Sequence, residues 1–466
     1  MTISSVSTHH SSLADDIHRS LNTCFSTGKT RPLTWRKQQL EQLKSLLAEN
    51  ENAIYAALTE DLGKCQTESW LGEFGFLHND IEHTLANLKR WTAPRKVSTP
   101  LVAQPGKSFQ QAEPLGTVLI IGAWNYPLQL LLAPYVAALA AGNCAVLKPS
   151  ELAENTSSLI ARLIPQYMDT EAVQVVEGGK EQTSELLALN WDHIFYTGGE
   201  QVGKIVMRAA AEYLTPITLE LGGKSPCIVD STTDLATTAN RIVWGKWMNA
   251  GQTCIAPDYI LVEKSFKDSL VSALKKALVQ QYGDDPLHNE DYGKIINQRH
   301  FERLQGYLNN VNVLHGGGSD AQQRKIEPAI VEVSDHTHAL LHEEIFGPIL
   351  PVVTVDNVDD AIVYINQRAK PLALYLFTQR SEVEAQVLQQ TSAGSVCIND
   401  TLMFMSNPEL PFGGVGNSGM GHYHGKAGFD TFSHLKSIMK RSFKFDVPVR
   451  YAPFKKWKLA ILKKLA

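Results

Sequence analysis

The stretch Thr117-Val118-Leu119-Ile120-Ile121-Gly122-Ala123-Trp124-Asn125-Tyr126-Pro127 runs into an apolar segment over 127–142 and then into Cys144-Ala145-Val146-Leu147. Its reading decides the fold. Thr117–Ile121 is a short apolar run rich in β-branched residues and closed by glycine, which is the pattern of a buried strand. The next segment has helical length, and the second short run reads as another strand. A strand, a helix and a strand in that order imply parallel pairing through a crossover. The apolar stretch Leu128–Leu147 is broken by Gln129, Pro134, Gly142 and Asn143. A bilayer span needs about 20 clean apolar residues, so this stretch reads as a buried helix running into a strand.

The alternation continues on the C-terminal side. Val173–Val176 and His193–Tyr196 read as strands, with helical segments at 155–167 and 182–189. A second series follows, with strands near Ile217–Leu221, Cys227–Val229, Tyr259–Val262, Leu350–Val355, Leu374–Phe377 and Ser395–Ile398. Helices are expected at 234–249, 265–281, 297–309 and 381–390. Upstream, Trp35, Leu40, Leu43, Leu46 and Leu47, and then Trp70, Phe74, Leu77, Ile81, Leu85 and Leu88, recur at helical spacing. The chain has 466 residues, and at about 100–200 residues per domain this fits two α/β units with an N-terminal helical layer. Pro-rich 94–115 reads as an extension between them, and Gly316–Gly318 as a surface turn.

Composition narrows the function. Hydrophobic residues are 44% and charged residues 20%, which excludes disorder, collagen and a coiled coil for the whole chain. None of the six cysteines pairs as C-x-x-C, so a zinc finger or thioredoxin-like pair is excluded. The thiols are expected to be reduced, in a cytoplasmic compartment. Met1–Ser12 has no apolar core and does not read as a secretory signal. The net charge of −5 argues against a nucleic-acid partner. It is unevenly spread, because residues 436–466 hold ten Lys or Arg against the one acid Asp446.

Two glycine motifs suggest nucleotides. Gly198-Gly199-Glu200-Gln201-Val202-Gly203-Lys204-Ile205 differs from a P-loop at its last position, where Ile205 cannot hold magnesium. Its place between a strand and a helix suits a pyrophosphate or a plain turn. Gly414-Val415-Gly416-Asn417-Ser418-Gly419 has the spacing of a dinucleotide fingerprint but follows no strand and has no ribose-binding acid downstream. It reads as a tight loop.

The strongest chemical cluster is Gly251-Gln252-Thr253-Cys254, at the end of an amphipathic stretch carrying Trp244, Trp247 and Met248. Cys24, Cys65, Cys144, Cys227 and Cys397 read as small hydrophobes. Glu220 is a lone acid between leucines, either ion-paired or a raised-pKa base. Asn125 follows a strand and is either a turn residue or a donor to an oxyanion.

Taken in order, these segments resemble the aldehyde dehydrogenase superfamily. They are Trp124-Asn125-Tyr126-Pro127, Lys148-Pro149-Ser150-Glu151, the Gly198–Gly203 turn, Glu220-Leu221-Gly222-Gly223, Gly251–Cys254, Glu343-Glu344-Ile345-Phe346-Gly347-Pro348 and Pro411-Phe412-Gly413-Gly414. The run Gly419–Lys426 and the short N-terminal region resemble the class 3 branch, which acts on fatty and aromatic aldehydes.

The resemblance implies an α/β fold with a Rossmann-like cofactor domain (1–98 and 116–214) and an α/β catalytic domain (215–412). It also implies a small β oligomerisation extension (99–115 and 425–446) serving a homodimer. Catalysis would rest on Cys254 as nucleophile, Asn125 as oxyanion donor and Glu220 as the base that hydrolyses a thioester. The cofactor, NAD or NADP, would meet Trp124, Lys148, Glu151, Gly198, Gly203, Glu344 and Phe346. No metal is expected. Glu220 favours a free acid product over acyl transfer. A P-loop hydrolase and a non-catalytic relative are the rival readings, opposed by Ile205 and by the retained Cys254, Glu220 and Asn125 respectively.

The tail 447–466 is left open. Phe454, Trp457, Ile461, Leu462 and Leu465 recur at helical spacing beside lysines. Such a helix could lie on an anionic membrane, dock on the acidic body or gate the substrate funnel.

Overall fold

A computed structural model describes residues 12–333, 335, 337–446 and 448–465. Residues 1–11, most of the segment read above as carrying no secretory signal, lie outside the described residues.

The opening stretch forms the strand Thr117–Ile121, the helix Gln129–Ala141 and the strand Cys144–Lys148. The helix is buried along its whole length. Its start is fixed by Glu73, whose Oε2 accepts from the backbone N–H groups of Leu128 (3.0 Å) and Gln129 (2.9 Å). A carboxylate there meets orphan N–H donors and the positive end of the helix dipole. Gly142, at φ +95°, ends the helix in the left-handed cap that glycine adopts without strain.

Thr117–Ile121 is central in a six-stranded sheet ordered Gly419–Met420, Ile217–Leu221, His193–Gly198, Thr117–Ile121, Cys144–Lys148, Val173–Val175. All of it is parallel except Gly419–Met420. Chain order reverses on either side of Thr117–Ile121. This is the switch point at which open α/β sheets bind ligands beyond their strand ends.

The second sheet has seven strands ordered Asn312–His315, Ala329–Glu332, Ile349–Val355, Tyr259–Glu263, Pro226–Val229, Ala373–Phe377, Ser395–Ile398. Arg95–Val97, Gly106–Pro114 and Ser433–Arg441 make a separate antiparallel sheet.

Three expectations change. Ile217–Leu221, read with the second series, pairs in parallel with His193–Gly198. A boundary at 214/215 therefore falls between hydrogen-bonded strands of one sheet. Hydrophobic runs reveal strands but not their partners. Residues Gly425–Thr431, placed among bridging strands, form a helix, and the bridging strand begins at Ser433. The strands Asn312–His315, Ser319–Asp320, Lys325–Ile326 and Ala329–Glu332 were not read from the sequence. They are two to four residues long, too short to show alternation.

The tail forms the helix Lys456–Leu465. Of its apolar stripe, Phe454, Trp457 and Ile461 are exposed and Leu462 is half-buried. Among the described residues no helix is long and apolar enough to cross a membrane.

Candidate active site

Cys254 is delivered by a strained turn. The helix Leu235–Trp247 ends, and Asn249, Ala250 and Gly251 follow at φ 55°, 51° and 75°. Two consecutive non-glycine residues in the left-handed region are uncommon and persist only where other bonds hold them. Here the Asn249 backbone N–H donates to Glu68 Oε1 (3.0 Å). The Asn249 side-chain NH₂ donates to the carbonyls of Asn125 (2.9 Å) and Gln252 (3.1 Å). At 251 only glycine fits, since a Cβ would stand 2.3 Å from the Gly347 carbonyl oxygen. Cys254 lines a cavity of about 330 Å³. The backbone N–H groups of Cys254 and Ile255 are directed at its sulfur.

Asn125 is buried beside it. Its Nδ2 donates to the Gln252 carbonyl at 3.0 Å. An amide nitrogen carries two hydrogens, so one remains for an oxyanion. Its own carbonyl is gripped from the other side by Lys64 Nζ (2.9 Å), which also pairs with Glu73 Oε1 at 2.6 Å. The neighbouring Tyr126 hydroxyl is hydrogen-bonded to the Thr253 hydroxyl at 2.8 Å.

Glu220 lies on Ile217–Leu221, 3% exposed, and both its carboxylate oxygens are buried without a hydrogen-bond partner. Burial pushes its pKa well above the usual range. Glu344 is held by the Gly223 backbone N–H, with Oε1 buried and unpartnered, and burial together with the charge of Asp258 raises it to about 8. Burial raises the Cys254 thiol to about 12, and the charges of Glu344 and Glu220 add to that rise. The three groups therefore share one poorly solvated region.

Among the residues expected to meet the cofactor, Trp124 meets the ring of Phe346 edge-on at 5.2 Å. Lys148 is buried at the end of its strand. Its Nζ donates to the Pro149 carbonyl (2.7 Å) and stands 3.7 Å from the Glu151 carboxylate. Burial lowers its pKa. At the Gly198 turn nothing lies within 4 Å of where a Gly199 Cβ would be. Gly203 lets the helix Glu200–Ala211 press on Leu221, where a Cβ would come within 2.9 Å. An open helix start, an unpartnered Oε1 on Glu344 and a strand-end Lys–Glu pair suit a pyrophosphate and two riboses. The Gly414–Gly419 segment is a tight loop, with Gly419 paired in register with Glu220.

A sequence profile of the aldehyde dehydrogenase family matches residues 1–438. The chain belongs to the aldehyde dehydrogenase family. The enzyme is 48% identical over 440 residues to aldehyde dehydrogenase family 3 member B2 of Mus musculus, covering 94% of this chain and 92% of that one. It is also 48% identical to a Rattus norvegicus protein named aldehyde dehydrogenase, dimeric NADP-preferring, covering 93% and 95%. The solved substrate-bound state of Staphylococcus aureus AldH superposes with a TM-score of 0.96 at 45% identity, covering 97% and 99%. The enzyme is an oxidoreductase that oxidises aldehydes with NAD or NADP.

Sequence reading did not find Lys64, Glu68, Glu73 or Asn249. Glu73 carried a signal, for it falls on the apolar stripe of Trp70, Phe74, Leu77 and Ile81. The π-helical turn Trp70–Phe74 sets it inward.

The pair Lys64–Glu73 is buried, and removing one partner strands the other. Lys64→Met is expected to lower unfolding free energy by about 3–5 kcal/mol, measured by urea denaturation. An unchanged midpoint and slope would refute the anchoring role.

Proposed function

We propose that the enzyme oxidises a medium- or long-chain aliphatic or an aromatic aldehyde to the free acid through a covalent intermediate on Cys254. The observation that carries this is the shared position of Cys254 and Glu220. Cys254 lines an apolar cavity and lies within electrostatic reach of Glu220, a buried carboxylate with no partner.

In this reading the Cys254 thiolate adds to the aldehyde carbon and forms a thiohemiacetal. The second hydrogen of Asn125 Nδ2 meets the new oxyanion, a contact worth about 3–4 kcal/mol in comparable sites. The nicotinamide, when bound, supplies the hydride acceptor. The thioester left on Cys254 is opened by water, whose proton passes to Glu220. A carboxylate with a raised pKa is the stronger base for that step. Thiolate serves both as nucleophile and as leaving group.

Glu344 and Phe346 would hold the nicotinamide end, with Trp124 behind Phe346. Lys148 and Glu151 would meet the adenosine ribose, and Gly198 and Gly203 would give the pyrophosphate room. The walls Trp70, Phe76, Trp244, Met248 and Phe412 favour an apolar substrate. The rat relative's name, dimeric and NADP-preferring, supports a homodimer. So do Leu435 and Met439, exposed on the strand Ser433–Arg441 of the three-stranded extension. The exposed apolar stripe of the tail supports a role outside the body, in substrate access or in peripheral membrane contact.

Cys254→Ala is expected to abolish oxidation while cofactor binding, followed by fluorescence, persists. Glu220→Gln should slow steady turnover by about 10²–10⁴-fold while a first burst of reduced cofactor survives. Loss of the burst would contradict the division of labour. Because Cys254 acts deprotonated and its pKa is raised, kcat/KM should climb with pH through the neutral range. A flat profile would count against the Cys254 assignment. Leu435→Glu with Met439→Glu should convert a dimer to monomer in sedimentation, and a monomeric wild type would end the dimer proposal. Deleting 450–466 should alter the ratio of rates on short and long aldehydes, and an unchanged ratio would exclude the tail from substrate access.

A further inference from the structure

Glu220 and Tyr423 share one face of the first sheet. Side chains alternate along a strand, so Thr218 and Glu220 leave Ile217–Leu221 on the same side. On the neighbouring strand Phe195 stands in register with Thr218, and Thr197 with Glu220. The segment that follows the Gly414–Gly419 loop folds over this face. Gly419 pairs with Glu220 at the sheet edge, and a Cβ on Gly421 would already stand 3.0 Å from Thr218 Oγ1. Tyr423 then meets the Phe195 ring edge-on at 5.1 Å. Its backbone is fixed by two bonds with Phe412. The Tyr423 N–H donates to the Phe412 carbonyl (2.7 Å), and the Phe412 N–H donates back (2.9 Å).

The Tyr423 side chain is 1% exposed, and its hydroxyl is buried with no hydrogen-bond partner among the described residues. The same holds for both Glu220 oxygens and for Thr197 Oγ1, which sits next to the Gly198 turn. The ionisable groups within electrostatic reach of Tyr423 are Glu220 first, then Cys254 and Asp80. Neither Glu220 nor Tyr423 lines the cavity that Cys254 borders. Phe412 and His424 do line it, and both pack on the Tyr423 ring, at 5.8 and 4.5 Å. Tyr423 therefore lies behind the aldehyde wall, on the sheet face that carries Glu220. Buried polar groups rarely stay unpaired without a role. Two such groups that do not touch each other are satisfied together by a water between them.

We propose that Tyr423 is a further catalytic residue, whose hydroxyl and the Glu220 carboxylate together hold the water that opens the thioester on Cys254. The inference rests on the Cys254–Glu220 reading above and deepens it. The water donates one hydrogen to Glu220 and the other to the Tyr423 oxygen, which leaves a lone pair for the thioester carbon. As the new C–O bond forms, the first proton passes to Glu220. The C–S bond then breaks, its electron pair returns to Sγ, and the acid departs. Forming the thioester consumes no water, so Tyr423 acts on the second half of the reaction.

Tyr423→Phe keeps the ring and removes the hydroxyl alone. A buried hydroxyl without a protein partner adds nothing to folding, so the thermal midpoint of the variant should not fall. Full-length enzyme, in excess over an alkanal and with NAD or NADP present, is quenched at intervals. Reduced cofactor is read by absorbance and the acyl adduct on Cys254 by mass spectrometry. In the variant the first formation of reduced cofactor should stay within about twofold of wild type, while the adduct decays about tenfold more slowly, the size of one lost hydrogen bond. Adduct decay unchanged from wild type would overturn the role of Tyr423. So would equal slowing of cofactor reduction and adduct decay, which is the mark of a purely structural residue. A wild type that forms no adduct on Cys254 would instead overturn the underlying reading, and the role of Tyr423 with it.

Discussion

The hydrogen bond from Asn125 Nδ2 to the Gln252 carbonyl, 3.0 Å long, joins the two sheets at the point where the chemistry would occur. Asn125 follows a strand of the first sheet, and Gln252 precedes Cys254 in the second unit. Neither sheet by itself positions Asn125 relative to the Cys254 sulfur. The bond orients the Asn125 amide and leaves its other hydrogen available. Asn249 and Lys64 then both donate to the Asn125 carbonyl. Glu73 ties Lys64 to the start of the buried helix Gln129–Ala141. A chain of buried, charge-assisted bonds therefore runs from the helical layer to the candidate nucleophile. Such networks are rigid because breaking any member leaves an unpaired group in a poorly screened interior.

The same burial sets the electrostatics. Glu220, Glu344 and Cys254 all lose hydration, and each pKa moves up. This costs stability, since an unpaired buried carboxyl is disfavoured when ionised. It also makes Glu220 a better base and lets a single aligned N–H donor act with little screening. The strained backbone at Asn249 and Ala250 belongs to the same trade. Strain of this kind concentrates where geometry matters more than local energy.

Much of this was legible in the sequence. Short apolar runs gave the parallel strands, because a strand buried on both faces has no polar alternation to hide it. The ordered motifs singled out Cys254, Glu220, Asn125 and the candidate cofactor residues, and Cys254 lies within electrostatic reach of Glu220 and Glu344. What could not be read was partnership across the chain. Ile217–Leu221 looked like the opening of the second unit, yet its hydrogen bonds go to His193–Gly198. Lys64, Glu68 and Glu73 make contacts with residues more than fifty positions away, which local pattern does not display. The left-handed turn at Asn249-Ala250 carries no local sequence sign, because only the tertiary bonds around it make it tolerable.

The most direct measurement is mass spectrometry of the enzyme quenched within one turnover of aldehyde and cofactor, followed by peptide mapping. The account predicts an acyl adduct on the peptide holding Cys254, absent when the cofactor is omitted. An adduct on a different cysteine, or product formed with no adduct at all, would contradict it.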